Sequence, residues 1–400
     1  MSLQTHYHVD VSHLCDFVTS VGPQEFYNEP LQFNGVREMR SDILNDPKRL
    51  KAERSLVIID PQRAFMKANA AVGRYADGSL SVPNSNEDIQ NIIGLIKAGY
   101  FGQIYVSLDT HSPRHIGHPM FWQYYDKQKN EWTDATNDQA FNSLENALGL
   151  DLKWYVKGIL LGTNIETMFR PKQYVDCGEI QNENLRMYVW IYLNTIKEEN
   201  KHMAIIWPYH CLEEGFNNGT LEKDRNGHKV AEELKTCLDN VSGATVAYIP
   251  KGRCNLAEMF SIFSAQVPVP NEWLTCLPTY AYDGRDAPVN FQDDTGTNYY
   301  TGVSNNISTE TNDALMEKLF GYRNEIFVCG EAATHCVKDS VIDLIKYAER
   351  NRIDRRRIVL LRNSTSPIPT ATHDLVEIME HAGCRVMGID HTKNPMEMDP

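Results

Sequence analysis

The chain has 400 residues, of which 42% are hydrophobic and 23% charged, and its formal net charge is −14. These values are ordinary for a soluble globular protein, and the length allows one large domain with insertions or two domains. The acidic balance argues against nucleic acid or an anionic membrane surface as the main partner, because both require basic patches.

Short apolar, β-branched segments alternate with helical ones along most of the chain. Their continuous apolarity is typical of strands buried on both faces of a parallel sheet. The predicted strands are Ser55–Ile59, Gln103–Leu108, His202–Trp207, Ala244–Ile249, Glu325–Cys329, Arg357–Leu361 and Arg385–Ile389. The predicted helices are Asn86–Ala98, Arg186–Glu198, Lys229–Leu238, Asn255–Phe263, Asn312–Gly321, Thr334–Arg350 and Thr372–Ala382. This alternation predicts a three-layer α/β/α sandwich with a mostly parallel, doubly wound sheet.

Three segments interrupt the alternation. Residues 1–53 have weak periodicity and are predicted to be an N-terminal extension, while residues 54–400 are predicted to form one domain. That domain carries two predicted insertions, at about 119–201 and 265–310. Long excursions of this kind in compact domains are often lids or oligomer contacts.

The cysteines, the apolar runs and the N-terminus indicate the cellular compartment that we expect for the protein. The nine cysteines are scattered without a C-x-x-C pair, so neither a disulfide framework nor a cysteine zinc site is indicated. No apolar run approaches the roughly 20 residues that span a bilayer, and the N-terminus lacks a basic segment followed by an apolar one. We therefore expect a cytoplasmic protein with no membrane partner.

Cys336 lies in the first turn of a predicted helix, at the carboxyl end of the predicted strand Glu325–Cys329. In open α/β sheets, ligands bind at the carboxyl ends of the strands. A thiol in the first turn of a helix is expected to have a lowered pKa, because the helix dipole favours the thiolate. The position of Cys336 therefore predicts a nucleophile.

Asp60 and Lys251 each follow another predicted strand. Taken alone, Asp60 is more typical of a turn or helix cap and Lys251 of the protein surface. Parallel strands, however, end at one edge of the sheet, so these side chains and Cys336 are expected to meet there. A nucleophilic cysteine needs a base for its proton and a cation for its thiolate, and Asp60 and Lys251 can supply them.

A metal site is predicted beside this group. Asp109 and His111 are two residues apart after a strand, so both can face one ion, and His210 follows the next predicted strand as a third ligand. Mixed histidine and carboxylate ligation with open positions suits a divalent ion, with Zn²⁺ favoured over Mn²⁺ or Fe²⁺. His115 is expected to support the site rather than bind the ion, and His118 to be a packed loop residue.

Five short motifs follow one another along the chain. They are Asp60-Pro61-Gln62 with Phe65, Asp109-Thr110-His111, Trp207-Pro208-Tyr209-His210-Cys211, Lys251-Gly252 and Gly330-Glu331-Ala332-Ala333-Thr334-His335-Cys336-Val337. Their order resembles that of the isochorismatase-like cysteine hydrolases, and most closely that of the nicotinamidase/pyrazinamidase branch. The motifs frame roughly residues 54–120 and 202–390. The W-P-x-H-C element with D-x-H is the metal signature of nicotinamidases, which other branches generally lack.

The resemblance implies a catalytic triad of Asp60, Lys251 and Cys336. It implies hydrolysis of nicotinamide, or a related aromatic carboxamide, to the acid and ammonia through a thioester. The backbone amides of Ala332 and Cys336 would form the oxyanion hole, with a cis peptide bond between Glu331 and Ala332.

The resemblance also implies how the substrate and metal are held. A metal ion bound by Asp109, His111 and His210 would grip the pyridine nitrogen. Phe65 and Trp207 would sandwich the ring, although without the resemblance both are equally well explained as core aromatics. A small-molecule amide is therefore the expected partner, and self-association into a homo-oligomer is also expected.

Departures from the family pattern leave alternatives open. The chain is longer than the usual member because of the two predicted insertions, and two sequence changes accompany this length. Thr334-His335 stands where an aspartate is common before the cysteine, and Phe260 stands where a tyrosine is usual before Ser261. The first alternative is a hydrolase of another small amide or ureido compound, with a structural or vacant metal site. The second is a catalytically silent relative that binds a ligand or supports an assembly.

Overall fold

The computed structural model describes residues 53–126, 128–136, 169–172, 179–199, 202, 205–213, 221–222, 226–270, 291–292, 298–299, 309–321, 324–368, 371 and 374–388. The strands are β1 (Arg54–Ile59), β2 (Gln103–Asp109), β3 (Trp122–Asp126), β4 (Glu131–Asp134), β5 (Phe169–Pro171), β6 (Thr245–Lys251), β7 (Phe291–Gln292), β8 (Asn298–Tyr299), β9 (Glu325–Gly330), β10 (Ile358–Leu361) and β11 (Arg385–Met387). The α-helices are α1 (Ser85–Lys97), α2 (Glu179–Glu198), α3 (Glu232–Asp239), α4 (Asp313–Phe320), α5 (Cys336–Arg350) and α6 (Leu375–His381).

The central sheet has six strands in the order β11-β10-β9-β1-β2-β6, and all its neighbouring pairs are parallel. The chain moves outward from β1 to β2 and β6, then returns to the other side of β1 at β9. The strand order therefore reverses between β1 and β9. Such a switch point opens a crevice beyond the carboxyl ends of the two strands, where ligands bind in open α/β sheets.

Helices cover both faces of this sheet, which confirms the predicted three-layer α/β/α fold. On β1, Val57 and Ile59 face the apolar cluster that includes α4, α5 and α6, whereas Leu56 and Ile58 face the cluster that includes α1 and α3. Successive side chains of a strand point to opposite faces, so a strand buried on both sides is apolar at every position. The uninterrupted apolar runs of the sequence have this origin.

The described part of the first predicted insertion has its own apolar cluster. β3 pairs antiparallel with both β4 and β5, forming a three-stranded sheet. Trp122 of this sheet packs in one cluster with Tyr188 and Val189 of α2 and with Leu256. Residues 1–52 and most of 265–310 lie outside the described residues, so the predicted domain boundaries stay a prediction.

One predicted strand, His202–Trp207, is wrong. Within the described residues, 205–213 forms an extended loop instead of a seventh strand. Its backbone hydrogen bonds go to the segment after β2: Trp207 N donates to Gly117 O (2.7 Å) and His111 N donates to Cys211 O (3.1 Å). Pro208 lacks an amide hydrogen, which further weakens a strand ladder at this point.

The predicted helix Asn255–Phe263 is also wrong. Its amides bond to other parts of the protein: Glu258 N donates to the Tyr192 hydroxyl (2.9 Å) and Ile262 N to the Ser340 hydroxyl (3.1 Å). The apolar side chains of this segment pack in two different clusters, Leu256 in that of α2 and Phe260 in that of α5. A spacing that resembles one helical face therefore serves two separate cores.

Within the described residues, no helix combines the length and the apolar character needed to cross a membrane.

Gly330 ends β9 opposite Ile59 of β1. Its φ is +107°, and a Cβ built there would lie 2.1 Å from the carbonyl oxygen of Ile59. Only glycine adopts this conformation at such a distance without strain. The close pairing of β1 and β9 at the switch point therefore depends on this residue.

Gly330→Ala is expected to lower the free energy of unfolding by at least about 3 kcal/mol, because the new Cβ meets backbone and the φ is strained. Gly94→Ala is the matched control: Gly94 lies in α1 with open space around its Cβ position, so stability should rise by about 1 kcal/mol. Urea unfolding followed by circular dichroism measures both. A Gly330→Ala protein as stable as wild type would contradict the described strand geometry.

Candidate active site

Asp60 leaves β1 in a left-handed backbone conformation, with a φ of +44°. Ser107 of β2 holds it at two points: the hydroxyl accepts from Asp60 N (2.9 Å) and donates to Oδ1 (2.5 Å). Burial raises the pKa of Asp60, while the positive charge of Lys251 opposes this effect. A carboxylate with a raised pKa is a better proton acceptor than an exposed aspartate.

Lys251 ends β6 and is buried, with 3% exposure. Its ammonium Nζ lies 3.0 Å from Asp60 Oδ2, 3.0 Å from Asp109 Oδ1 and 3.6 Å from Cys336 Sγ. Nζ also donates to the carbonyl oxygen of Met259 at 2.8 Å. Burial alone would lower the pKa of Lys251, but the charges of Asp109 and Asp60 outweigh it, so the pKa is raised and the ammonium persists.

Cys336 is the first residue of α5, which follows β9 after the turn 331–335, and 8% of it is exposed. Its thiol lies next to the Asp60 carboxylate. The sequence predicts a lowered thiol pKa, and this prediction is wrong: burial raises the pKa well above its ordinary value, with Lys251 only partly opposing. The resting group is therefore a thiol, which needs a base to become a nucleophile, and Asp60 is in position to act as one.

The three side chains Asp109, His111 and His210 form a buried cluster beside Lys251. One ligand atom from each lies within 4.8 Å of the other two. His111 Nε2 is 2.8 Å from Asp109 Oδ2, and His210 Nε2 is 3.4 Å from the same oxygen. His210 stands in the 205–213 loop, because the predicted strand before it does not form.

The hydrogen bonds of this cluster identify which ring nitrogens are free. His111 Nδ1 lies 2.9 Å from Gly252 O, and His210 Nδ1 lies 2.8 Å from Pro208 O. A carbonyl only accepts, so each Nδ1 carries the hydrogen and each Nε2 of a neutral ring presents a lone pair. Two lone pairs and the Asp109 carboxylate therefore face one another, an arrangement that a single proton does not satisfy and a bound cation does.

The charge balance favours a cation as well. Asp60 and Asp109 place two negative charges in the site, and Lys251 supplies one positive charge. Buried unbalanced charge is costly in a low-dielectric interior. The donor set of two imidazole nitrogens and one carboxylate oxygen fits a divalent metal ion such as Zn²⁺.

A second group of potential ligands shares His111 and adds His115 and Glu258. Both nitrogens of His115 already have partners: Nδ1 accepts from Gly117 N (3.1 Å) and Nε2 donates to Ala257 O (3.1 Å). His115 is therefore not a free ligand in this arrangement. His118 Nε2 lies 3.2 Å from His210 Nδ1 and so supports a ligand rather than facing the cluster.

The two aromatic residues expected to hold a substrate ring are both near the cluster. Phe65 is 6% exposed and its ring centre lies 5.8 Å from that of His210. Trp207 is 3% exposed and its ring centre lies 5.6 Å from that of His335, the residue before Cys336. Their predicted roles on either side of a substrate stay a prediction.

The turn between β9 and α5 supplies backbone amides near the thiol. The peptide bond between Glu331 and Ala332 is cis, as the resemblance implies. Ala333 N donates to Ser366 O (2.9 Å), and Val337 N donates to Ala332 O (3.2 Å). Among the described residues, the amides of Ala332 and Cys336 have no backbone acceptor, and their predicted role as an oxyanion hole stays a prediction.

Sequence reasoning gave no role to two residues that shape the site. Gln62 is fully buried and joins the end of β1 to that of β2: its Nε2 donates to Asp109 O (2.8 Å) and its Oε1 accepts from Asp109 N (2.7 Å). Its place in the Asp60-Pro61-Gln62 motif was an available signal. Glu258 lies in the segment Asn255–Phe263, where the predicted helix does not form. No pattern in the sequence distinguishes it from a glutamate on the protein surface.

Several solved structures are similar to this chain. A nicotinamidase/pyrazinamidase of Acinetobacter baumanii is 13% identical, with 84% of this chain and 95% of that one covered and a TM-score of 0.40. The yeast nicotinamidase bound to the inhibitor nicotinaldehyde is 15% identical, with 83% and 98% covered and a TM-score of 0.39. An N-carbamoylsarcosine amidase of Thermoplasma acidophilum is 11% identical, with 84% and 95% covered and a TM-score of 0.33. No family model and no curated protein matches the sequence.

His210→Ala is expected to weaken Zn²⁺ binding by more than about 100-fold, since it removes one of three protein ligands. Titration against a competing chelator measures the affinity, and elemental analysis of the dialysed protein gives the metal content. His381→Ala, at an exposed position of α6, is the control and should bind like wild type. Equal metal content in wild type and His210→Ala would remove His210 from the site.

Proposed function

We propose that this chain is a cysteine amidohydrolase of the isochorismatase-like type that hydrolyses nicotinamide, or a related aromatic carboxamide, to the acid and ammonia. One observation carries the proposal: a buried lysine ammonium contacts Asp60, Asp109 and the Cys336 thiol together. A base, a cation and a nucleophile at one sheet edge are the requirements of nucleophilic catalysis by a thiol. The order of the five sequence motifs supports the same assignment.

Acylation begins at the thiol of Cys336. Asp60 accepts the thiol proton as Sγ forms a bond to the carboxamide carbon, and the ammonium of Lys251 stabilises the developing thiolate. The amides of Ala332 and Cys336 donate hydrogen bonds to the oxyanion. The C–N bond then breaks, Asp60 returns the proton to the leaving nitrogen, and ammonia departs from the thioester.

Deacylation uses the same residues in reverse order. Asp60 takes a proton from water, whose oxygen attacks the thioester carbon, and the same backbone amides hold the second oxyanion. The C–S bond breaks and Cys336 recovers its proton from Asp60. The sum of both halves is one amide and one water consumed, and one acid and one ammonia released.

The aromatic ring would be held next to the triad. Asp109, His111 and His210 would bind the divalent ion, which when bound supplies a Lewis-acid contact to a ring nitrogen. Phe65 and Trp207 would pack on the ring and exclude water from the reacting carbon. Because Asp109 contacts both Lys251 and His111, the ring-binding and acyl-transfer parts of the site share one carboxylate.

Cys336→Ala is expected to reduce ammonia release from nicotinamide by at least about 10³-fold, because no other thiol lies beside Lys251 among the described residues. Cys237→Ala, on the partly exposed side of α3, is the control and should retain wild-type turnover. Circular dichroism checks that both variants are folded. Appreciable activity in folded Cys336→Ala would exclude this residue as the nucleophile.

Chelation tests which substrate class the metal site serves. Ammonia release from nicotinamide should fall at least about tenfold after chelator treatment and return when Zn²⁺ is added, because the ring would lose its metal contact. The comparison is a panel of aliphatic amides and ureido compounds under the same conditions. Release from those compounds alone, insensitive to chelator, would replace nicotinamide with another amide. No release from any compound by metal-loaded protein would favour a silent ligand-binding relative.

A further inference from the structure

Two carboxyl groups lie buried behind the turn that carries Ala332. Asp88 is in the first turn of α1 and 3% exposed, and Glu331 directly follows β9 and is 1% exposed. The Asp88 carboxyl lies within hydrogen-bonding reach of the Glu331 carboxyl and of the Ser366 side chain. Neither carboxyl has a role in the chemistry proposed above.

No positive charge compensates this pair among the described residues. The groups that face it are Ser366 from the loop after β10, Cys329 from β9, and the exposed Glu87 from the same helix as Asp88. The thiol is neutral and Glu87 is acidic. Two ionised carboxylates would therefore repel each other in a dry environment, which is strongly unfavourable.

The balance of hydrogen-bond donors and acceptors also favours a protonated carboxyl group. Both carboxyl oxygens of Glu331 and Oδ2 of Asp88 are buried and form no well-aligned hydrogen bond among the described residues, and the backbone of Ser366 is the donor nearest to Glu331. Carboxylate oxygens only accept, so two carboxylates in contact cannot bond to each other. A single proton between them turns one oxygen into a donor and satisfies the contact.

We propose that Asp88 and Glu331 share one proton, and that this carboxyl–carboxylate pair is a positioning device for the backbone amide of Ala332. Glu331 precedes Ala332, and the next residue is fixed from the same side because Ala333 N donates to Ser366 O at 2.9 Å. The pair thus ties the oxyanion turn to α1 and to the loop after β10. The positioning role rests on the proposed function, in which Ala332 donates to the oxyanion.

The pKa shifts of the two carboxyl groups agree with a shared proton. Burial raises the pKa of Glu331 well above its ordinary value, and the charge of Asp88 adds to the effect. Burial likewise raises the pKa of Asp88 to about 6, against the hydrogen bonds from Ser366 and Glu331. The folded protein then holds a proton that the unfolded chain has released, so this pair's contribution to stability falls as pH rises from about 4 through the raised pKa values of both groups.

The shared proton is tested by unfolding at several pH values. We compare wild type with Glu331→Gln, whose amide donates a hydrogen to Asp88 at every pH, and with Glu87→Gln as the control. Between about pH 4.5 and 6, the wild-type unfolding constant should rise relative to that of Glu331→Gln by up to tenfold per pH unit. Glu87→Gln should follow wild type. Parallel curves for wild type and Glu331→Gln overturn the shared proton, whatever the activity.

The positioning role is tested by ammonia release. Glu331→Gln and Asp88→Asn each supply a permanent hydrogen and should keep kcat within about twofold of wild type. Glu331→Ala should lose at least about tenfold in kcat with KM unchanged, since an oxyanion donor acts in the transition state. If Glu331→Ala does not fold, a loss of kcat in Glu331→Leu with KM unchanged serves instead. Full kcat in a folded apolar variant overturns the positioning role.

The two proposals fail in different ways. A wild-type protein that releases no ammonia overturns the proposed function and with it the positioning role, while the unfolding curves still decide the shared proton. Normal turnover with parallel unfolding curves overturns the carboxyl pair and leaves the proposed function standing.

Discussion

The buried ammonium of Lys251 is the interaction on which the site depends. It touches Asp60, Asp109 and Cys336, which come from three other places in the sequence. The pairing of β2 with β6 sets Asp109 opposite Lys251 in the ladder, and the pairing of β1 with β9 brings the other two residues to the same edge. Removing one partner of a buried ion pair leaves an uncompensated charge, so these strand registers and this charge cluster stabilise each other.

The sequence predicts the strands and their terminal residues well because both follow from local patterns. A run of apolar, β-branched residues marks a strand buried on both faces. Asp60, Lys251 and Cys336 each follow the carboxyl end of such a run, Cys336 after a short turn. The segments 205–213 and 254–263 could not be predicted in this way, since their amides bond to distant residues. The prediction of a lowered pKa for the Cys336 thiol is wrong for the same reason. The start of a helix is visible in the sequence, whereas the burial that raises the pKa depends on the whole fold.

The described part of the first predicted insertion supports the site from outside. Tyr188 of α2 donates its hydroxyl hydrogen to Leu256 O (2.8 Å), and Tyr192 accepts from Glu258 N (2.9 Å). The next residue, Met259, offers its carbonyl oxygen to the ammonium of Lys251. The helix α2, which lies between His111 and His210 in the sequence, thus holds the segment that completes the lysine's hydrogen bonds. Because this segment has no regular secondary structure among the described residues, its shape depends on such contacts.

The central claim is that the Cys336 thiol, deprotonated beside Lys251, carries the acyl group. The most direct measurement is acid quenching of the reaction with nicotinamide, followed by peptide mass spectrometry. We predict a nicotinoyl group on the peptide that contains Cys336, removed by hydroxylamine as a thioester should be. An acyl group on another side chain, or an unmodified Cys336 during rapid ammonia release, would contradict this account.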